Sequence, residues 1–196
     1  MKKHTLKKIL LGATVVGAVF IGTSCNNTAT PKDDSAKEAA KENNDKFDNK
    51  KLENDAQFLV DAAASSMCEV QLGELAQQKG STADIKALGK MMVDSHTKLL
   101  TQIKDLAKKK QITLPDSATA KAQATYNDLS SKSGNDFNKA YCSAMVEGHK
   151  DAIAKFEKEG SESRDGELKD WATTTLPDLR KHLDHVFACQ KTYEKM

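Results

Sequence analysis

The chain has 196 residues and a formal net charge of +2, with 30 basic residues against 28 acidic ones. Four of the lysines lie within the first eight residues, so cleavage of a leader there would change the net charge from +2 to −2. A weakly acidic protein has no general attraction for phosphate backbones, which argues against nucleic-acid binding. The length is sufficient for one domain with its own hydrophobic core.

The first 24 residues have the pattern of a cleaved signal peptide. The lysines precede an apolar stretch, residues 9–21, that is too short to span a membrane as a helix. Small residues then lead to Cys25, a pattern that resembles the lipobox of bacterial lipoproteins. We therefore expect Cys25 to carry a lipid and to attach the protein to a membrane. The alternative is an ordinary secretory signal followed by an unmodified cysteine.

Residues 25–54 are predicted to be the lipidated cysteine and a disordered tether. The segment contains Pro31, charges of both signs and few apolar side chains. Burial of Phe47 and Leu52 alone would not offset the conformational entropy that is lost on ordering such a segment.

Residues 55–196 are predicted to form one all-α domain, since glycine and proline are rare there and no alternating β-branched pattern occurs. Four long helices are expected at about 55–79, 82–111, 135–159 and 166–194, and a short extra helix at 117–131. Predicted N-caps are Asn54, Ser81 and Asp165, and Pro177 predicts a kink. Short turns within the first and second pairs of long helices predict an antiparallel four-helix bundle.

Each long helix has an apolar face with helical spacing, and each face carries one side chain that could bind a metal: Glu69, His96, His149 and His182. At 1.5 Å per residue, their depths below the turns agree to within roughly 8 Å. The four groups are therefore predicted to meet in one layer of the core. Three imidazoles and a carboxylate suit Zn²⁺, Cu²⁺, Ni²⁺ or Fe²⁺.

Two alternatives to a metal site stay open: a metal-free network of buried glutamate and histidines, or no convergence at all. The small residues Ser66, Gly73 and Ala76 near the glutamate are expected to leave room for an ion and water. Asp178, four residues before His182, is a candidate to orient that imidazole. It could equally be a solvated acid on the outer face of the helix.

Four segments together resemble a ferritin-like family of bacterial "predicted outer membrane" lipoproteins, formally a domain of unknown function. They are EVQLG at 69–73, MVDSH at 92–96, MVEGH at 145–149 and LPDLRKHL at 176–183. The resemblance spans about residues 54–192. It implies a ferritin-like bundle in the cell envelope, with the anchor in the outer membrane and the domain facing the periplasm or the cell surface.

Export to an oxidising compartment permits disulfides. Besides Cys25, the cysteines are Cys68, Cys142 and Cys189. Counted from the turn between the last two long helices, the positions of Cys142 and Cys189 along the helix axes differ by roughly 6 Å, which makes Cys142–Cys189 the plausible bridge. Cys68 is displaced further along the axis from both. The alternative is three buried thiols that act as small hydrophobic side chains.

The sequence lacks a Glu-x-x-His pair and a P-loop, zincin or nucleophile-elbow motif, so no catalytic residue is assigned. Three functions stay open. The first is a module that holds a transition metal, for metal or stress homeostasis. The second is a structural or interaction lipoprotein with a polar core, whose protein partners the sequence does not identify. The third is a metalloenzyme, which would require an open coordination position.

Overall fold

The computed structural model describes residues 34–195, and this range contains six helices and no strand. The helices are α1 (Asp34–Lys46), α2 (Lys50–Lys79), α3 (Ala83–Lys110), α4 (Ala120–Ser131), α5 (Gly134–Glu162) and α6 (Gly166–Tyr193). The prediction of an all-α protein is therefore confirmed. Within residues 34–195, no helix combines the length and the apolar character that crossing a membrane requires.

The predicted helices correspond to α2, α3, α5 and α6, and the extra helix corresponds to α4. Asp165 caps α6 as predicted, because its side chain accepts a hydrogen bond from the backbone N–H of Leu168. The cap of α3 is Thr82, not Ser81, since the Ser81 hydroxyl accepts a hydrogen bond from Asn138 instead. Two other expectations about helix ends were wrong, as α2 begins after Asn49 and α5 continues through Gly160.

The prediction of a disordered tether is wrong for residues 34–54, where the structure has α1 and the first turn of α2. Asn43 is buried, and its side-chain amide makes two hydrogen bonds with the backbone of Thr113. It donates to the Thr113 carbonyl at 2.9 Å and accepts from the Thr113 N–H at 2.8 Å. Ala39 is buried and Phe47 packs against the core. The segment is ordered by these tertiary partners, which its composition does not reveal. The predicted signal peptide, Cys25 and the rest of the tether lie outside the described residues.

Two helical hairpins make up most of the described structure. α2 packs along α3 and α5 along α6, while α2 also contacts α5 and α3 contacts α6. The apolar faces of α2, α3, α5 and α6 are turned toward the core, and all four candidate ligands on them are buried. Two apolar clusters result, one around Phe58 and Phe156 and the other around Phe137 and Tyr141. The four predicted ligands lie between these clusters along the helices.

α2 and α3 approach each other closely at Gly73 and Gly89. A Cβ atom on Gly73 would lie 2.7 Å from the carbonyl oxygen of Gly89, and a Cβ on Gly89 would lie 2.6 Å from that of Gly73. The space beside Gly73 is thus filled by the backbone of α3. The expectation that Gly73 leaves room for an ion and water was wrong, because the absent side chain serves helix packing.

Two buried carboxyl groups join α2 to α5 near the turn between α5 and α6. Asp55 accepts a hydrogen bond from the hydroxyl of Ser163 at 3.1 Å, and Glu159 lies against Asp55. Burial, with the negative charge of Asp55, raises the pKa of Glu159 to about 7. Asp165 adds a further negative charge, while Lys110 binds Asp165 at 2.5 Å.

We expect Glu159→Gln to flatten the pH dependence of stability between pH 5 and pH 8. The folded protein keeps a proton on Glu159 up to about pH 7, whereas the unfolded chain releases it near the ordinary value of 4.5. The Glu159 contribution to the free energy of unfolding therefore decreases as the pH rises through that window. Between pH 5 and pH 8, the free energy of unfolding of the wild type, measured with denaturant, should fall on the order of 1 kcal/mol further than that of the variant. Glu162→Gln, at an exposed position of α5, is the control; equal slopes in Glu159→Gln and wild type would contradict the prediction.

Candidate metal centre

The structure brings three of the four predicted ligands together. His96 of α3, His149 of α5 and His182 of α6 expose 3%, 1% and 9% of their surface. Each offers a ring nitrogen, and these nitrogens all lie within 4.8 Å of one another. The ring centroids form a nearly equilateral triangle with sides of 5.5, 5.6 and 5.6 Å. We call these residues the histidine triad.

A backbone hydrogen bond defines the tautomer of His149. Its Nδ1 atom lies 2.9 Å from the carbonyl oxygen of Met145, one turn earlier in α5. A carbonyl only accepts, so the proton is on Nδ1 and the lone pair is on Nε2. The Nε2 atom is buried and has no hydrogen-bond partner. A metal ligand needs this arrangement, in which one ring nitrogen is held and the other is free.

The other two imidazoles also have unpartnered nitrogens: both ring nitrogens of His96 and Nδ1 of His182. A buried polar atom without a partner costs about 1–3 kcal/mol, so several in one place call for a compensating group. Burial lowers the pKa of His96 well below its ordinary value, lowers that of His149 to about 4, and lowers that of His182. The triad is therefore neutral at neutral pH, the form in which imidazole binds a metal.

The size of the triad matches a tetrahedral ion. With metal–nitrogen distances of about 2.0–2.1 Å, three imidazoles on an ion have ring centroids roughly 5.2 Å apart. The observed separations of 5.5 to 5.6 Å exceed this value by a few tenths of an ångström. The ring nitrogens lie within 4.8 Å of one another, against roughly 3.3 Å for nitrogens on one tetrahedral ion, so binding would require the imidazoles to turn toward the ion. Three buried histidines thus lie close enough to hold a metal ion.

Glu69 lies beside the triad and outside the group of mutually close ligand atoms. Its Oε1 atom is 3.7 Å from Nδ1 of His149, the nitrogen that faces Met145. A Cβ on Gly148 would lie 2.7 Å from the same oxygen, so the carboxyl group packs directly on the backbone of α5. Burial raises the pKa of Glu69 to about 8, and its Oε2 atom has no partner.

Tyr141 is a buried polar residue of α5 that was not among the candidate ligands. Its hydroxyl is buried without a partner, and burial together with the charge of Glu69 raises its pKa. Tyr141 precedes His149 by eight residues, which is about two helical turns, so it shares the face that carries the imidazole. That periodicity was the only signal in the sequence for this hydroxyl.

Asp178 and His185 lie on the outer face of α6, and both are exposed. The pKa of His182 is lowered mainly by burial, and the negative charge of Asp178 opposes that effect. Asp178 therefore acts on His182 through its charge, which raises the pKa of that imidazole. His185 lies one turn beyond His182 and supplies a solvent-facing histidine for comparison.

The structure joins Cys142 of α5 to Cys189 of α6 by a disulfide, with their Cα atoms 5.8 Å apart. This separation is within the range that a disulfide spans without backbone movement. Cys68 is a free, half-buried thiol on α2. Burial, and then the charge of Glu69, raises the pKa of Cys68 to about 12, so it is not a reactive thiolate.

We expect thiol counting in denaturant without reductant to find one free thiol in the exported protein after acylation of Cys25. Reductant should raise the count to three. Cys189→Ser should expose Cys142 as an additional free thiol in the unreduced protein, whereas Cys68→Ser should remove the single one. Three free thiols in the unreduced wild-type protein would contradict the bridge.

A family model described as "Domain of unknown function (DUF4142)" matches residues 31–189 of the chain, which include all four predicted ligands and both bridged cysteines. No curated protein matches the chain, and no solved structure matches it.

Proposed function

The chain belongs to the DUF4142 family, and from that premise we propose that its function is to bind one divalent transition ion at the histidine triad. The proposal extends to a role in metal or stress homeostasis in the cell envelope. Imidazole ligands suit Zn²⁺, Cu²⁺, Ni²⁺ and Fe²⁺, and the choice among these ions is left to measurement.

One observation carries the proposal: three buried, neutral imidazoles from three helices present mutually close nitrogens, several of them without partners. A structural histidine normally has its polar atoms satisfied inside the protein. Within the described residues, the hydrogen bond between Nδ1 of His149 and the carbonyl of Met145 is the one that a ring nitrogen of the triad makes. An ion would be coordinated by the free nitrogens and would join α3, α5 and α6 across the core.

Metal analysis after dialysis against excess Zn²⁺ tests the proposal. One ion per chain is expected for the wild type, and a large loss of bound metal for His96→Ala, His149→Ala and His182→Ala. His185→Ala is the matched control, because it removes an exposed imidazole one turn away on α6. Equal metal content in the His182 and His185 variants would contradict a site at the triad.

The second candidate is a structural or interaction lipoprotein with a metal-free polar core. The hydrogen bond from His149 to Met145 favours it, since that bond requires no ion. In this case Glu69 and the triad would satisfy one another through small movements or buried water. Titration calorimetry with Zn²⁺, Cu²⁺, Ni²⁺ and anaerobic Fe²⁺ would then give no saturable heat for any of the four.

We also propose that α2, α3, α5 and α6 form a ferritin-like four-helix bundle. The order of contacts supports it, because each hairpin is antiparallel and the two hairpins pack through α2 with α5 and α3 with α6. A ligand from the core-facing side of each of several helices is the usual way such bundles build a metal site. An experimental structure with the four helix axes far from this arrangement would overturn the assignment.

The localisation proposed is the bacterial envelope, with a lipid on Cys25 holding the domain at the outer membrane, facing the periplasm or the cell surface. The basic, apolar and small-residue segments before Cys25 support it. The membrane is then the partner of the N-terminal lipid, and no nucleic-acid partner is proposed.

We expect Cys25→Ser to abolish acylation and to release the protein from the membrane fraction. Acyl chains contribute about 0.8 kcal/mol for each buried CH₂ group, so their loss removes the anchor. Intact-mass analysis of the purified protein measures the lipid directly. Cys68→Ser is the control and should stay in the membrane fraction. A wild-type mass without acyl groups would show that the lipobox interpretation is wrong.

A further inference from the structure

A cleft of about 270 Å³ lies between α2 and α5 and extends inward to the polar layer of the core. Small side chains line it on both sides, with Ser66 and Cys68 on α2 and Gly148 and Ala152 on α5. Side chains of α3 and α6 also reach it, so the cleft penetrates between the two helical hairpins. It therefore connects the surface with the region where the histidine triad lies.

The inner end of the cleft is polar and unsatisfied. Glu69 and His96 both line it, and they expose only 4% and 3% of their surface. Oε2 of Glu69 and both ring nitrogens of His96 are buried without a hydrogen-bond partner. The neighbouring walls are apolar, including Leu72, Leu99 and Met145. An unpaired buried polar atom costs about 1–3 kcal/mol, so this end calls for a polar occupant.

An ion held by three histidines keeps a fourth tetrahedral position for another ligand. His96 is shared between the triad and the cleft, so that position is within reach of whatever enters the cleft. Neutral imidazoles do not compensate the double positive charge of the ion, and the nearby carboxyl group of Glu69 lies outside the group of mutually close ligand atoms. Burial therefore makes a counter-charge bound directly to the ion favourable. Lys121 and Lys155 line the cleft together with Asp61, Glu147 and Asp151, so the attraction for a small anion comes from the ion itself.

We infer that the cleft between α2 and α5 admits a small monodentate anion from solvent to the fourth coordination position of an ion at the histidine triad. This inference rests on the proposed function, because the anion binds to the metal that the triad holds. Small side chains leave the cleft open, and Ala152 lies on its wall. The site is thus an open centre that exchanges a ligand, in contrast to a closed structural ion.

The test uses protein loaded with Co²⁺, whose visible absorption reports both metal binding and a change of ligand, with azide as the probe. Azide should change the Co²⁺ spectrum of the wild type saturably. Stopped-flow mixing should give an association rate that falls roughly tenfold or more in Ala152→Phe, where the new ring fills the cleft. Ala154→Phe, on the exposed side of α5, is the matched control and should stay within about twofold of the wild type.

Each outcome separates the inference from the function on which it rests. The absence of any protein-bound Co²⁺ spectrum in the wild type would contradict the metal site itself. A four-coordinate Co²⁺ spectrum that azide does not alter would overturn the open position and leave metal binding intact. Azide rates in Ala152→Phe equal to those in Ala154→Phe would overturn the cleft as the route. If Ala152→Phe does not fold, Ala152→Leu provides the same comparison against Ala154→Leu.

Discussion

Chelation of divalent ions should lower the melting temperature of the purified protein, and one equivalent of a transition ion should restore it. The triad joins α3, α5 and α6, so an ion there binds the folded state and not the separated helices. At a free ion concentration of about a thousand times Kd, the stabilisation is about 4 kcal/mol. For a domain of this size, that corresponds to a shift of roughly 10 °C.

Alanine at His96, His149 or His182 should remove most of this shift, and His185→Ala should retain it. The metal-free melting temperatures of the variants provide a separate comparison. If the triad formed only a metal-free hydrogen-bond network, each substitution would destabilise the protein by about 1–3 kcal/mol, because it would leave neighbouring polar atoms without a partner. The wild type would then melt at the same temperature with chelator and with any of the four ions, and that result would refute the metal site.

Gly89→Val should destabilise the protein strongly, by about 3 kcal/mol or more, because the new side chain meets the backbone of α2. The Cβ atom alone would lie 2.6 Å from the carbonyl oxygen of Gly73, and backbone cannot move aside as a flexible side chain does. α2 and α3 would have to separate along the hairpin. His96 lies two turns further along the same face of α3, so metal affinity should fall as well.

Gly89→Ala gives the same test with a smaller change. In an ordinary helix interior, alanine is about 1 kcal/mol more favourable than glycine, so a helix without the close contact would gain stability. We expect a loss instead, measured as the free energy of unfolding in urea. Gly166→Ala is the control, since a Cβ atom there would meet nothing within 4 Å. A gain of stability in Gly89→Ala would show that the two helices do not require this contact.

The helices and their inner faces follow from local sequence, because a helical period of 3.6 residues is determined by neighbours within a few turns. This is why α2, α3, α5 and α6 match their predictions apart from shifts at their ends. The same period places Glu69, His96, His149 and His182 on inner faces, and all four are buried. Apolar side chains on both sides of them along each helix were sufficient for that conclusion.

Distances between helices were decided only by the tertiary structure, since they depend on which side chains meet across an interface. Axial counting placed Glu69 at the level of the histidines, but lateral packing against the backbone at Gly148 puts it beside His149 and outside the triad. The docking of α1 likewise uses hydrogen bonds between residues far apart in the sequence, such as Asn43 and Thr113, which are 70 residues apart. Sequence periodicity therefore determines which residues face the core, while packing determines which of their atoms meet.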